Sequence, residues 1–225
     1  MHTIERRTLQ TPHGPGRLVQ RRAPSPFATL IMTHGAGAGI ETPDLNRIAI
    51  GLPAYGVNTA MLELPWVGQG RRIAPSKTVL DESFVAMANR LRPQTPTFVG
   101  GRSTGARLAC RHGRRLGGVG VVALSFPLHP RGKPERSRAD ELTGAGLPVL
   151  VVQGDRDDMG HPDEFPPQTP IVSIPYADHS LVVPKRAPVE QDATYRLAAS
   201  AILQWIARRL RHELPGTSAD GSLLI

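Results

Sequence analysis

A serine, an aspartate and a histidine occur in this order along the chain, at positions where they could perform nucleophilic catalysis. Ser103 lies at the centre of Gly101-Arg102-Ser103-Thr104-Gly105, a G-x-S-x-G pattern. The pattern alone also fits an ordinary glycine turn. It presents a reactive serine only where a strand leads into a sharp turn and then a helix. The apolar run 97–100 predicts such a strand and 106–112 predicts such a helix, so we interpret Ser103 as a nucleophile.

A nucleophilic serine needs a base, and the base needs an acid that orients it. Asp157 comes 54 residues after Ser103 and follows the predicted strand 149–152. His179 comes 22 residues after Asp157 and follows the predicted strand 171–174. Because the carboxyl ends of parallel strands meet at one edge of a sheet, the three side chains are expected to converge there.

Two further aspartates flank the predicted acid and are alternatives to it. Asp155 directly follows Gly154, where such a residue usually holds a turn, and Asp158 is compatible with a solvated surface position. We therefore favour Asp157 as the acid.

A glycine-rich segment, 34–39, directly follows the predicted strand 28–32. Backbone N–H groups in such a loop can bind an oxyanion. We expect the N–H groups of Ala36 and Thr104 to do so, with Gly37 as the alternative to Ala36. The glycine spacing does not satisfy G-x-G-x-x-G, and no Lys-Ser or Lys-Thr pair follows, so neither common nucleotide-binding motif matches.

Further residues are expected to contact a substrate, namely Gly35, Gly37, Trp66, Arg102 and His129. His129 is a loop histidine that does not fit the order serine, acid, base. His161 and the two acids that follow it do not complete a metal ligand set, so no metal is predicted. The chemistry requires no cofactor.

Apolar runs alternate with amphipathic runs, which predicts a doubly wound, mostly parallel sheet with helices on both faces. The domain is expected to span 1–215, with 216–225 as a loose tail. The predicted strands are 28–32, 57–64, 97–100, 120–124, 149–152 and 171–174. The predicted helices are 46–52, 80–91, 104–112 and 195–210.

The segment 125–148 has no room for a helical cap. Its 24 residues contain four prolines and three glycines, so one short helix around 137–142 is the most we expect. The site should then be shallow and open, bordered by the loops 66–72 and 126–134.

The composition predicts a cytoplasmic protein without a nucleic-acid or membrane partner. The 225 residues carry a net charge of +8, with 24 arginines against 3 lysines, but the basic residues are scattered and only 4% are aromatic. No apolar run approaches the roughly 18 residues that cross a bilayer. The one cysteine, Cys110, excludes an internal disulfide. The composition leaves monomer and homodimer open.

Five motifs together resemble the α/β-hydrolase superfamily. They lie at 34–39, 101–105, 126–135, 152–157 and 178–180, so the resemblance covers roughly 28–210. Within the superfamily the chain looks like a small capless bacterial group. That group is related to dienelactone hydrolases and to hydrolase-like animal proteins, one testis-expressed and one from a chromatin acetyltransferase complex.

The resemblance implies a serine hydrolase that cleaves small esters or thioesters through an acyl-enzyme. Arg102, Thr104 and Ala106 depart from the Lys-Ser-Met-Gly-Gly usual in the group, which leaves the substrate open. Dienelactone hydrolases carry cysteine where this chain has Ser103, which argues against that activity. The alternative is a hydrolase-like binding or scaffold protein without significant catalysis.

Overall fold

A computed structural model describes residues 3–71 and 73–214 of the chain. It has one eight-stranded sheet in the order β1-β2-β4-β3-β5-β6-β7-β8, in which β3 to β8 run parallel and the other pairings are antiparallel. The strands are β1 (Thr3–Thr11), β2 (Gly14–Arg22), β3 (Ala28–Thr33), β4 (Val57–Glu63), β5 (Thr97–Arg102), β6 (Gly120–Leu124), β7 (Val149–Gly154) and β8 (Ile171–Ile174). The helices are α1 (Pro43–Gly51), α2 (Pro65–Gly68), α3 (Lys77–Ala88), α4 (Thr104–His112), α5 (Ala139–Thr143) and α6 (Gln191–Leu210), with 3₁₀ turns at Leu52–Tyr55 and Pro162–Glu164.

The predicted doubly wound, mostly parallel sheet is confirmed. Strands β6 and β8 and helix α4 have the predicted bounds, and α6 begins four residues earlier than expected. The predicted tail at 216–225 lies outside the described residues.

The N-terminal hairpin of β1 and β2 was not predicted. Leu9 is the only buried residue of β1, so this strand lacks an alternating apolar pattern. Gly14, Pro15 and Gly16 begin β2 and favour a turn over a strand. The hairpin is attached to the sheet through β4, where Arg17 lies opposite Glu63 and donates two hydrogen bonds to its carboxylate, at 3.1 and 3.0 Å.

Two apolar cores lie on opposite faces of the sheet. Helices α1 and α6 cover one face, and α3 and α4 cover the other. Strand β3 supplies both, because Leu30 and Met32 belong to the first core and Ile31 to the second. The strands between the two cores are therefore held from both sides, which fixes where their carboxyl ends stand.

The turn from β5 into α4 passes very close to the end of β3. A Cβ atom on Gly105 would lie 2.5 Å from the carbonyl oxygen of Thr33 and 2.9 Å from that of His34. A Cβ atom on Gly101 would lie 2.5 Å from the backbone of Gly105. Both glycines are thus required because backbone packs directly on backbone.

The expected absence of a large cap is confirmed, since the five-residue helix α5 is the only helix within 125–148. Among the described residues, no helix is both long and apolar enough to cross a membrane.

Gly105→Ala should therefore destabilise the protein, because backbone atoms of β3 cannot yield to the added methyl group. We expect a loss of about 1–3 kcal/mol in the free energy of unfolding, measured by urea denaturation. Gly68→Ala is the matched control, because a Cβ atom there meets nothing within 4 Å. An equal stability for the two variants would contradict the close approach of α4 to β3.

Candidate active site

Ser103 occupies a strained turn between β5 and α4. Its backbone has φ 54° and ψ −112°, outside the regions that non-glycine residues usually adopt. The turn is held from both sides, since the Ser103 N–H donates to the carbonyl of Leu124 at 2.9 Å. Its own carbonyl accepts from the N–H of Arg107 at 3.2 Å. The hydroxyl therefore stands at the N-terminus of α4, where the helix dipole favours negative charge.

Ser103, His179 and Asp157 form a hydrogen-bonded chain. Oγ of Ser103 lies 2.9 Å from Nε2 of His179, and Nδ1 of His179 lies 2.8 Å from Oδ2 of Asp157. An ionised carboxylate only accepts hydrogen bonds, so Nδ1 carries the proton and Nε2 accepts from the serine hydroxyl. The imidazole is thus oriented as a base toward Ser103.

The carboxylate of Asp157 is buried and held by further donors. It is 2% exposed, and its Oδ1 accepts the N–H of Met159 at 2.9 Å. Its Oδ2 also accepts from Nε2 of Gln153 at 2.7 Å. Gln153 is a fully buried polar residue at the end of β7, and the sequence reasoning assigned it no role. A polar side chain in an otherwise apolar strand was the available signal.

The loop that carries His179 is folded by its own sequence. Oδ1 of Asp178 accepts the N–H groups of Ser180 at 2.7 Å and Val182 at 3.0 Å. Tyr176 and Leu181 have φ of 60° and 54°, and Leu181 is fully buried. The two left-handed residues reverse the chain on either side of His179, and Leu181 anchors it to the core.

Arg102, predicted to bind substrate, lines the cavity above Ser103 and also ties three parts of the site together. Its Nε lies 3.0 Å from Oδ2 of Asp44 in the first turn of α1, and both residues are buried. Its Nη2 donates to the carbonyl of His179 at 3.2 Å and to Oγ of Ser180 at 2.8 Å. The residue beside Ser103 therefore fixes the loop that carries His179.

His34 holds the glycine loop in place. It is fully buried, and its Nε2 accepts the N–H of Leu64 at 2.9 Å, so its Nδ1 is the donor to the Gly35 carbonyl at 2.8 Å. Burial lowers the pKa of the imidazole, which agrees with this neutral form. Gly35 packs against Ser103, because a Cβ atom on it would lie 3.3 Å from the serine Cβ.

A cavity of about 540 Å³ opens over Ser103 and His179. Ala36, Gly37 and Thr104, expected to donate N–H groups or contact substrate, all line it. Sequence reasoning missed several lining residues, which lie on elements far apart in the chain. They are Asp44, Arg107, Arg138, Met159 and Tyr195. The pKa of the Tyr195 hydroxyl is raised, chiefly by burial and then by the carboxylate of Asp44.

Three residues expected to contact substrate do not line this cavity, namely Gly35, Trp66 and His129. Trp66 is buried with its ring 4.9 Å from that of His34, so it supports the glycine loop from behind. His129 is buried, and its ring nitrogens lie 3.0 Å from the Pro130 carbonyl oxygen and 3.1 Å from Glu164 Oε2. Among the described residues, no group of three histidines, cysteines or acids is placed to hold a metal ion.

Cys110 lies on α4, two turns beyond the nucleophile. It is 1% exposed, and burial raises the pKa of its thiol to about 12. The thiol is therefore protonated and unreactive at neutral pH, as expected for a small buried side chain.

Residues 26–207 match the family model described as the alpha/beta hydrolase domain, and the chain belongs to this family. The match indicates a hydrolase and confirms the superfamily inferred from the motifs.

Solved structures with the same fold share little sequence with this chain. A serine hydrolase without a lid from Xanthomonas campestris is 19% identical over 96% of this chain and 97% of its own, with a TM-score of 0.67. Est1E from Butyrivibrio proteoclasticus is 14% identical over 92% and 99%, with a TM-score of 0.68. A dienelactone hydrolase from Anabaena variabilis is 16% identical over 90% and 98%, with a TM-score of 0.67.

Substitution of the two nearby aspartates should separate their roles. Asp157→Asn should lower kcat on any ester substrate by about 10³–10⁴-fold, because the amide no longer holds the imidazole in the required tautomer. Asp155→Asn should leave kcat nearly unchanged, since the only hydrogen bond of Asp155 in the described structure runs from its backbone N–H to Ile174. Equal losses of kcat in the two variants would contradict the assignment of Asp157 as the acid.

Proposed function

We propose that the protein is a serine hydrolase that cleaves small ester or thioester substrates through an acyl-enzyme. The observation that carries the proposal is the hydrogen-bonded chain from Ser103 through His179 to Asp157, with Ser103 on a strained turn at a helix N-terminus. Such a chain transfers acyl groups in several unrelated folds, so its geometry is a stronger argument than the fold.

In the first half of the reaction, Oγ of Ser103 attacks the substrate carbonyl while Nε2 of His179 takes the hydroxyl proton. Asp157 stabilises the imidazolium that results. The carbonyl oxygen becomes an oxyanion, bound by the N–H of Thr104 and that of Ala36 or Gly37. The tetrahedral intermediate then collapses, and the alcohol or thiol leaves with the proton from His179.

In the second half, water repeats these steps on the acyl-enzyme. His179 takes a proton from the water, the hydroxide attacks the ester carbonyl, and Ser103 leaves with that proton. The acid is released and the hydroxyl of Ser103 is restored, so no cofactor is consumed.

A fluorophosphonate probe tests the proposal without knowledge of the substrate. The native protein should be labelled and should hydrolyse p-nitrophenyl acetate, whereas Ser103→Ala and His179→Ala should do neither. Their double variant should be little worse than either single variant, because the residues act as a unit. Ser173→Ala, an exposed serine on β8, is the control.

Labelling that survives Ser103→Ala would place the nucleophile elsewhere. A folded native protein that is not labelled would favour the binding or scaffold alternative.

The absence of a cap predicts a preference for short acyl chains. Little apolar surface is available to bury a long acyl chain, so the part of the chain far from the ester should add little binding energy. We expect kcat/KM for p-nitrophenyl esters to be highest between acetate and butyrate and to fall for longer chains. A rise through octanoate would reveal a covered apolar pocket and contradict the open site.

A further inference from the structure

Three arginines line the cavity above Ser103, and their charges are compensated to different degrees. Arg102 is neutralised by Asp44, with which it forms a buried ion pair at 3.0 Å. Arg107 donates two hydrogen bonds to the carboxylate of Glu141, at 2.9 and 2.6 Å. Arg138 lies within ion-pair distance of no carboxylate among the residues that the structure describes.

The nearby carboxylate of Glu141 acts on Arg138 only through space and is shared with two other arginines. It already accepts from both Arg107 and Arg111, the latter at 3.0 Å. Arg111 is also ion-paired with Asp81, so two carboxylates balance two guanidinium groups before Arg138 is counted. Arg138 then adds one positive charge to the side of the cavity next to α4. The pKa of Arg138 is lowered from its usual value, first by burial and then by the charge of Arg107.

The backbone and one nitrogen of Arg138 are fixed, while the rest of its guanidinium is available. Its N–H donates to the Leu128 carbonyl at 2.7 Å, and its Nη1 donates to the Pro127 carbonyl at 3.1 Å. Among the described residues, neither Nε nor Nη2 takes part in a hydrogen bond or an ion pair. These two nitrogens form one edge of the planar fork, and this edge matches the two oxygens of a carboxylate.

We propose that Arg138 is a substrate-binding residue that selects esters bearing a second, anionic group, a carboxylate on either the acyl or the alcohol part. The proposal rests on the ester hydrolase function proposed above. Arg138 lies close enough to Arg107 to be affected by its charge, and Arg107 lies on α4 one turn after Thr104. An anion bound by Arg138 is therefore held on the α4 side of the cavity. One uncompensated guanidinium matches a single negative charge, which favours a monocarboxylate over a phosphate dianion.

Matched ester pairs test the charge preference on each side of the scissile bond. Monomethyl glutarate against methyl valerate tests the acyl side, and O-butyryl glycolate against propyl butyrate tests the alcohol side, with rates followed by pH-stat. We expect kcat/KM for the anionic member of at least one pair to exceed that of its neutral partner at least tenfold. Equal hydrolysis within both pairs would overturn the proposal and leave the hydrolase function standing.

Variants of Arg138 assign the preference to this side chain. Arg138→Gln should bring the anionic-to-neutral ratio close to one, and Arg138→Lys should keep only part of it because the fork is lost. Arg136→Gln is the matched control, since Arg136 is exposed, contributes to the same local charge and does not line the cavity. A ratio that falls equally in Arg136→Gln would show a diffuse surface field in place of a binding residue.

A binding measurement separates this proposal from the catalytic one. Ser103→Ala should bind monomethyl glutarate at least tenfold more tightly than dimethyl glutarate in isothermal titration calorimetry, and adding Arg138→Gln should remove that difference. This outcome supports the anion site even if no ester is hydrolysed. Equal binding of the two compounds overturns it.

Discussion

The close approach of α4 to the carboxyl end of β3 is the constraint on which the site depends. Without side chains at 101 and 105, the helix begins within contact of the β3 backbone, and Ser103 is forced into its strained conformation at the junction. The same contact brings the helix N-terminus next to the glycine loop that follows β3. Ser103 and the glycine loop are therefore positioned by the same backbone contact.

A second constraint is electrostatic and joins elements that the backbone leaves separate. Arg102 lies beside Ser103, and its guanidinium contacts Asp44 on α1 and both His179 and Ser180 on the loop after β8. Removing one partner of a buried ion pair typically costs 3–5 kcal/mol, because the remaining charge is left unpaired. The position of His179 is thus coupled to the packing of α1.

Sequence patterns predicted the parallel sheet and the order of the chemical groups because both follow from local rules. Apolar runs bounded by glycine and proline define the central strands, and G-x-S-x-G defines its own turn. The hairpin of β1 and β2 was not predicted, because β1 has no alternating apolar pattern and the hairpin is held in the sheet by the pairing of β2 with β4. Likewise, nothing in the sequence around Arg102 indicates its ion pair with Asp44, which lies on a different element.

The cavity was the least predictable part. Asp44, Arg138 and Tyr195 lie far apart in the sequence, and only the tertiary structure brings them to one cavity. Trp66 and His129 were expected to contact a substrate because an aromatic or imidazole side chain in a loop often does so. Both are instead buried and do not line the cavity. Loop residues near a site can support its walls as readily as they can line it.

Alkylation of the buried thiol of Cys110 can be used to measure local opening of α4. A thiol with a pKa of about 12 and 1% exposure cannot be alkylated while the helix rests on the sheet, so each modification event requires the helix to leave it. Under native conditions the alkylation rate therefore reports the opening equilibrium of the segment that follows Ser103. The free energy of opening obtained from that rate can be compared with the free energy of global unfolding. A smaller value means that α4 opens by itself, and an equal value means that it opens only when the whole domain unfolds.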